Sequence, residues 1–335
     1  MDDSFRAFSF VDRILSCEAG VRIRGRYGIP AGIEAFPASL VAEAVGQLAA
    51  WSAMATVDFQ RRPVAGIAGG IELLGDVRPG QTLELAADLE SADTEAAAYG
   101  GSASVDGIPV LRLTHCVGPM VPMEEFDDPA VVRSRFGVLC GEGARPGGFG
   151  GLPSLPVERS GGEAGKIARA TLCVPASARL FADHFPRRPV FPGSLLMHAN
   201  LELAAHLVNE ITQAPAGAAS SSPSSPYEER VGRGPRRGET NQDAPPLPNP
   251  LLHPMEEREE ARSLMQPWAP AGRTWRPRAI SDMKLRAFIP PGEVLELEAR
   301  LEECSEHTAV LLVETRRGKR LLGSARVTFV SEGPS

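Results

Sequence analysis

Ala182-Asp183-His184-Phe185-Pro186-Arg187-Arg188-Pro189-Val190-Phe191-Pro192-Gly193-Ser194-Leu195-Leu196-Met197-His198 is the stretch whose reading decides the fold of this chain. Pro186, Pro189 and Pro192 each fix φ and lack an N–H, so the backbone up to Pro192 is not helical. From Ser194 to Val208 there is neither Pro nor Gly, and the run is rich in helix formers and apolar nearly all round. This predicts a buried central helix that starts at Gly193. Free N–H groups and the positive dipole end at that start can hold a partial negative charge. His184 stands just upstream, in the rigid loop.

Working outward, the helix start has an earlier copy. Phe36-Pro37-Ala38-Ser39-Leu40-Val41-Ala42-Glu43-Ala44 aligns without gaps on Phe191-Pro192-Gly193-Ser194-Leu195-Leu196-Met197-His198-Ala199. Glu43 falls opposite His198, and Gln47 lies one helical turn beyond Glu43 on the same face. The position matching His184 is Ile29, so each copy holds what the other lacks. A second pair of blocks repeats downstream. Pro79, Gly80, Leu83, Glu84, Leu85, Ala87 and Leu89 match Pro291, Gly292, Leu295, Glu296, Leu297, Ala299 and Leu301. A Pro-Gly turn followed by alternation marks a strand. The chain is therefore a tandem repeat, and the second copy carries extra residues between its helix and its sheet.

Composition bounds the class. A chain of 335 residues with 43% hydrophobic and 23% charged content matches a soluble globular protein of one large or two ordinary domains. The net charge of −7 argues against nucleic acid as the main partner. Five scattered cysteines without a Cys-x-x-Cys pair read as reduced thiols of a cytoplasmic protein. No signal peptide and no membrane span are expected. In order, the pattern predicts a short helix or turn ahead of a strand at 21–27. A helix at 39–54 follows, then strands within 63–75, 77–90, 96–105 and 108–119. Residues 124–165 read as a Gly/Pro-rich linker with one short helix at 129–136. A strand at 166–174 precedes the central helix of the second copy, and strands at 289–302, 308–315 and 320–330 close it. Residues 213–272 are Ser-, Pro- and Arg-rich and are expected to be disordered. The resulting domains are 1–123, a linker at 124–165, and 166–332 with the insertion. Strand, helix, then a run of antiparallel strands is an α+β pattern.

The His184–Leu196 pattern, His-Phe-Pro-x-x-Pro-Val-Phe-Pro-Gly-x-Leu-Leu, resembles the signature of the FabZ/FabA-type hot-dog dehydratases. Glu43 and Gln47 resemble that family's Glu-x-x-x-Gln acid motif. The resemblance implies a double hot-dog, in which two curled antiparallel sheets each wrap a central helix and form an intrachain pseudo-dimer. It implies dehydration of (3R)-hydroxyacyl thioesters to trans-2-enoyl thioesters in fatty-acid or polyketide-type biosynthesis. Such a reaction needs a base for the C2 proton, an acid for the departing hydroxyl and donors for the thioester oxygen. Carried over by position, His184 would be the base, Glu43 the acid and Gly193 N–H the donor, with Gln47 a substrate contact or a structural hydrogen-bonder. The implied partner is an acyl carrier protein bearing a hydroxyacyl-phosphopantetheine thioester, or acyl-CoA. No cofactor and no metal are implied, and the chain would be a monomeric pseudo-dimer or a homo-oligomer of these. Ala38, Arg187 and Ser194 depart from the family pattern.

Two other readings stand beside this one. A catalytically inactive acyl-binding or partner protein would hold Glu43 and His184 too far apart for one substrate. A hot-dog acyl thioesterase would use a carboxylate without needing the His184–Glu43 pairing. The second pseudo-site, Ile29 with His198, is expected to be dead for dehydration. His115, His206, His253 and His307 have no partners at ligand spacing. Trp51, Trp268 and Trp275 read as packing residues. Arg61-Arg62 and Arg187-Arg188 read as solvated surface or as contacts to an acidic carrier protein.

Overall fold

The computed structural model describes residues 7–145, 148–213 and 274–332. The first copy runs β1 (Arg13–Glu18), β2 (Arg22–Gly28), α1 (Ala38–Thr56), β3 (Arg61–Pro63), β4 (Ile67–Leu73), β5 (Thr82–Ala92), β6 (Ala96–Val105) and β7 (Ile108–Pro122). A connecting helix, α2 (Pro129–Cys140), follows. The second copy runs β8 (Val157–Glu163), β9 (Ile167–Cys173), α3 (Gly193–Gln213), β10 (Thr274–Leu285), β11 (Val294–Cys304), β12 (Thr308–Arg317) and β13 (Arg320–Glu332).

The repeated blocks fold alike for a local reason. Gly80 at φ +86° and Gly292 at φ +79° take the left-handed conformation of the turns that start β5 and β11. Beyond each turn, alternate side chains face inward. Leu83, Leu85 and Ala87, like Leu295, Leu297 and Ala299, are no more than 2% exposed. α1 lies across β2, β5 and β6, while α3 lies across β9, β10 and β11, and the two helices touch. Leu40, Val41, Ala44, Val45 and Leu48 fill the face of α1, and Leu195, Leu196, Ala199, Leu203 and Leu207 that of α3. Burying each such leucine contributes about 1.5–3 kcal/mol.

The expectation of two separate sheets is corrected. The strands form one antiparallel sheet in the order β1-β2-β5-β6-β7-β4-β10-β13-β12-β11-β9-β8, with β3 paired to β7. β4 and β10 are the inner edges of the two halves. They pair with each other, with Ile71 opposite Ile280. An unpaired edge would leave a row of N–H and C=O groups without partners, and this pairing satisfies them.

Three local expectations also change. The opening segment is a strand, β1, paired with β2, and not a helix or turn. The connecting segment holds more than a short helix. α2 extends to Cys140, capped by the Asp128 carboxylate with Pro129 at its first turn. β8, largely exposed, forms the outer edge on β9. β10 was hidden by Pro277, where the β10–β13 register shifts. Apart from Gln213 at the end of α3, the expected insertion at 213–272 lies outside the described residues, as do His253 and Trp268. No helix among the described residues is long and apolar enough to cross a membrane.

The helix-to-sheet approach is close enough to test. A Cβ on Gly101 in β6 would sit 2.5 Å from Val45 Cγ1 and 2.6 Å from the Ala86 carbonyl oxygen. The second contact is backbone and cannot swing away. Gly101→Ala is expected to lose about 1–3 kcal/mol, seen as a lower urea midpoint at unchanged slope. An unchanged midpoint would mean that α1 can back off the sheet.

Candidate functional site

The Pro-rich loop holds His184 by its backbone. After a 3₁₀ turn at Arg179–Ala182, His184 N–H donates to the Leu180 carbonyl (2.9 Å), and Val190 N–H donates to the His184 carbonyl (2.8 Å). The ring is fixed too, since His184 Nδ1 lies 2.8 Å from the Val190 carbonyl oxygen. A carbonyl only accepts, so Nδ1 carries the proton and Nε2 keeps its lone pair. Burial pushes the His184 pKa down, against an upward pull from Glu43, so the ring is neutral near pH 7. Phe191 N–H donates to the Ile289 carbonyl at 2.7 Å, which delivers the chain to Gly193 at the first turn of α3. A Cβ on Gly193 would come within 2.4 Å of Leu285 Cδ1.

α1 supplies the carboxylate. Gln47 Nε2 donates to Glu43 Oε1 and to the Phe8 carbonyl, both at 3.0 Å, while Gln47 Oε1 accepts from Phe10 N–H at 2.7 Å. Both amide hydrogens of Gln47 are therefore spent within the protein. Its geometry is that of a clamp on Glu43, with no N–H left to offer a substrate.

These residues meet in one cavity of about 490 Å³. Glu43 and Gln47 from the first copy and His184 and Gly193 from the second all line it. Its other walls are mainly apolar and include Trp51, Met54, Leu113, Leu139 and Ile280. Glu43 and His184 make no hydrogen bond or ion pair with each other among the described residues. Both line the same cavity, near enough for the Glu43 charge to act on the His184 ring. Ile29 and His198 do not line it. Ile29 is core, and His198 pairs with Glu202 at 3.4 Å on its own helix.

Among the polar groups of the wall that the sequence did not single out, Asp183 stands nearest the histidine in the chain. Asp183, next to His184, accepts hydrogen bonds from Phe8 N–H (2.8 Å) and Ser9 Oγ–H (3.0 Å) through Oδ2. Among the described residues its Oδ1 is buried without a hydrogen-bond partner. Burial pushes the Asp183 pKa up to about 6, although these bonds and Arg135 oppose the shift. The signal was present as a carboxylate within an aromatic, proline-rich loop. The arginine pairs divide. Arg187 and Arg188 form exposed ion pairs with Asp128 and Glu125, both at 3.1 Å, whereas Arg62 turns into the cavity wall. His115 lies 3.9 Å from Glu90 and His206 3.0 Å from Glu210, and no cluster able to hold a metal occurs among the described residues.

No family model matches the sequence, and no curated protein matches it. Solved structures do match. A protein named an oleoyl thioesterase, from Lactobacillus plantarum, aligns over 94% of this chain and 98% of its own, at 9% identity and a TM-score of 0.50. An acyl-ACP thioesterase from Bacteroides thetaiotaomicron covers 92% of this chain and 97% of its own, at 11% identity and a TM-score of 0.44. A hot-dog protein of unknown function from Alicyclobacillus acidocaldarius covers 100% of both chains, at 10% identity and a TM-score of 0.44. The chain has the hot-dog fold.

The dehydratase expectation is corrected at this point. The structure that matches at a TM-score of 0.50 is named a thioesterase, a hydrolase and not a hydro-lyase, and no dehydratase family model matches. Assignment to fatty-acid or polyketide-type synthesis falls with it. The physical reason lies in what the 184–196 signature builds. It makes a rigid loop and a helix start in the cavity wall, and that backbone placement does not by itself select a reaction.

Asp183 yields a pH test. A carboxyl whose pKa is higher in the folded than in the unfolded chain adds stability below about pH 4, and that stability is lost as pH rises through about 6. Asp183→Asn keeps an acceptor oxygen for Phe8 and Ser9 but does not titrate. Between about pH 4 and pH 7 the variant should gain on wild type by on the order of 2–3 kcal/mol in urea melts. Parallel stability curves would mean that Asp183 does not titrate in this window.

Proposed function

We propose that this chain is an acyl-thioester hydrolase with a single active site built across the two copies. The observation that carries the reading is the shared cavity. A clamped carboxylate from one half faces a neutral histidine and a helix start from the other, within walls that suit an acyl chain. The fold held in common with an oleoyl thioesterase supports it.

In this reading the thioester carbonyl oxygen lies against Gly193 N–H at the positive end of α3. Glu43 takes a proton from a water molecule as the water oxygen attacks the carbonyl carbon. His184 Nε2 accepts the hydrogen bond of the same water and orients it. The tetrahedral oxyanion is held by Gly193 N–H. Its collapse breaks the C–S bond, and the departing thiolate receives the proton from Glu43. Gln47 acts as a positioning residue, holding the Glu43 carboxylate in place. The products are a free acid and the thiol of the carrier, which is coenzyme A or an acyl carrier protein.

Thiol release from a panel of acyl-CoA substrates tests this. Wild type should release thiol, and Glu43→Gln should lower kcat by about 10²–10⁴-fold, the usual loss on removing a general base. Gln47→Ala should lower kcat less. Loss of water from a 3-hydroxyacyl-CoA without thiol release would sink the hydrolase reading, as would hydrolysis that survives Glu43→Gln.

A further inference from the structure

Arg62 is a cation in the cavity wall that hydrolysis of a plain fatty acyl thioester leaves unexplained. It sits on β3 with its side chain turned inward, only 16% exposed, and lines the cavity. Its guanidinium makes no hydrogen bond among the described residues. Nε is buried with no partner, and the nearest carboxylate, Asp127 Oδ2, stands 4.0 Å from an Arg62 terminal nitrogen, too far for a hydrogen bond. The other Asp127 oxygen already accepts from Asp128 N–H at 2.8 Å. One face of the guanidinium is covered, because its central carbon lies 3.8 Å from the Phe185 ring centroid. The in-plane donors, which recognise a carboxylate or phosphate in pairs, are thus left unused. Asp127 supplies a counter-charge at 4.0 Å but no hydrogen bond, and a buried guanidinium whose donors are unmet is costly, so the site has room for a second anionic oxygen that completes them.

Its position ties it to the chemistry. Phe185 stacks on the His184 ring at 4.2 Å between centroids and also carries Arg62. The cation therefore stands beside the end of the cavity that holds the histidine.

We infer that Arg62 binds an anionic oxygen group of the substrate, so that the thioesters turned over here carry a carboxylate on the acyl chain or present a phosphate of the carrier arm to it. This deepens the hydrolase reading and rests on it for turnover, though not for binding.

The experiment compares adipyl- and suberyl-CoA with hexanoyl- and octanoyl-CoA, and repeats the series on N-acetylcysteamine, which lacks the phosphates. Wild type, Arg62→Met and Arg62→Lys are measured on each. If the group is an acyl carboxylate, wild type should favour the ω-carboxyl substrates by about 10–100-fold in kcat/KM on both carriers. Arg62→Met should bring that ratio near one, with Arg62→Lys between. If the group is a carrier phosphate, Arg62→Met should instead weaken every CoA thioester and spare the truncated ones. A wild type that prefers uncharged chains, with Arg62→Met acting equally on all substrates and carriers, overturns the proposal. Thermal shift of the wild-type protein with free adipate, hexanoate or inorganic phosphate gives a readout that needs neither turnover nor a folded variant. Stabilisation by adipate or phosphate but not hexanoate supports the site, and no stabilisation by either dianion overturns it. If no thioester is hydrolysed yet adipate or phosphate binds, the hydrolase reading fails and Arg62 stands.

Discussion

The pairing of β4 with β10 is the constraint on which the site depends. Each half of the chain builds a sheet whose inner edge would otherwise be open, and joining the two edges satisfies both ladders at once. The seam is also a wall of the cavity. Ala68 and Ile71 from one strand and Ile280 and Met283 from the other line it. Because α1 and α3 ride on opposite sides of that seam, Glu43 and the His184–Gly193 unit reach one space from different repeats. Neither half holds a complete set. Ile29 stands at the histidine position and His198 at the carboxylate position, so only the joined chain brings both groups to one cavity.

A second constraint is the cost of placing polar groups in an apolar wall. The short segment Phe8–Phe10 meets much of it. Phe8 N–H and Ser9 Oγ–H donate to Asp183 in the second copy, while Phe8 C=O and Phe10 N–H engage Gln47 in the first. The Phe8 ring also meets the His184 ring edge-on at 5.6 Å. The segment ahead of β1 thus bridges the halves beside the site and sets the orientation of the amide that holds Glu43. Where this network stops, charge is left over, at Asp183 Oδ1 and along the Arg62 guanidinium. Among the described residues those two are the charged groups of the wall with a buried atom lacking a hydrogen bond, beside the hydroxyls of Ser39 and Ser194.

Much of this was legible in the residues. The Pro-Gly turns and the alternation after them located β5 and β11, and the Pro- and Gly-free run after Gly193 located α3. The aligned Phe-Pro blocks were enough to predict that Glu43 and His184 belong to different halves of a pair. What could not be read was of three kinds. β8 is an exposed edge with little alternation, and the alternation of β10 is put out of phase by irregularities at Pro277/Ala279 and Ser281/Lys284. The union of two sheets into one depends on edge pairing, which is a tertiary choice with no local pattern. Arg62 and Arg61 look identical in sequence, and only the inward pleat of β3 separates a cavity cation from a strand-edge one, for Arg61 donates to the Met120 carbonyl at 2.9 Å.

The reaction itself was the least legible, and the geometry explains why. A signature such as His184–Leu196 encodes backbone placement. It sets the tautomer of the histidine through the Val190 carbonyl, opens the helix start and keeps a side chain off Gly193. In the hydrolase reading proposed above those features hold a polarised thioester carbonyl, and they are indifferent to which neighbouring bond then breaks. Selectivity for the bond comes from what stands between Glu43 and His184 when the carbonyl is bound, because the two make no direct contact. For the proposed hydrolysis, a gap that admits water beside the carbonyl carbon would favour attack there, with the Gln47 clamp fixing the Glu43 carboxylate. On the inference drawn for Arg62, its unmet donors add a demand that a plain fatty chain would not meet. The chemistry of this fold is thus written less in its motif than in the unsatisfied groups around it, where the protein leaves hydrogen bonds for the substrate to complete.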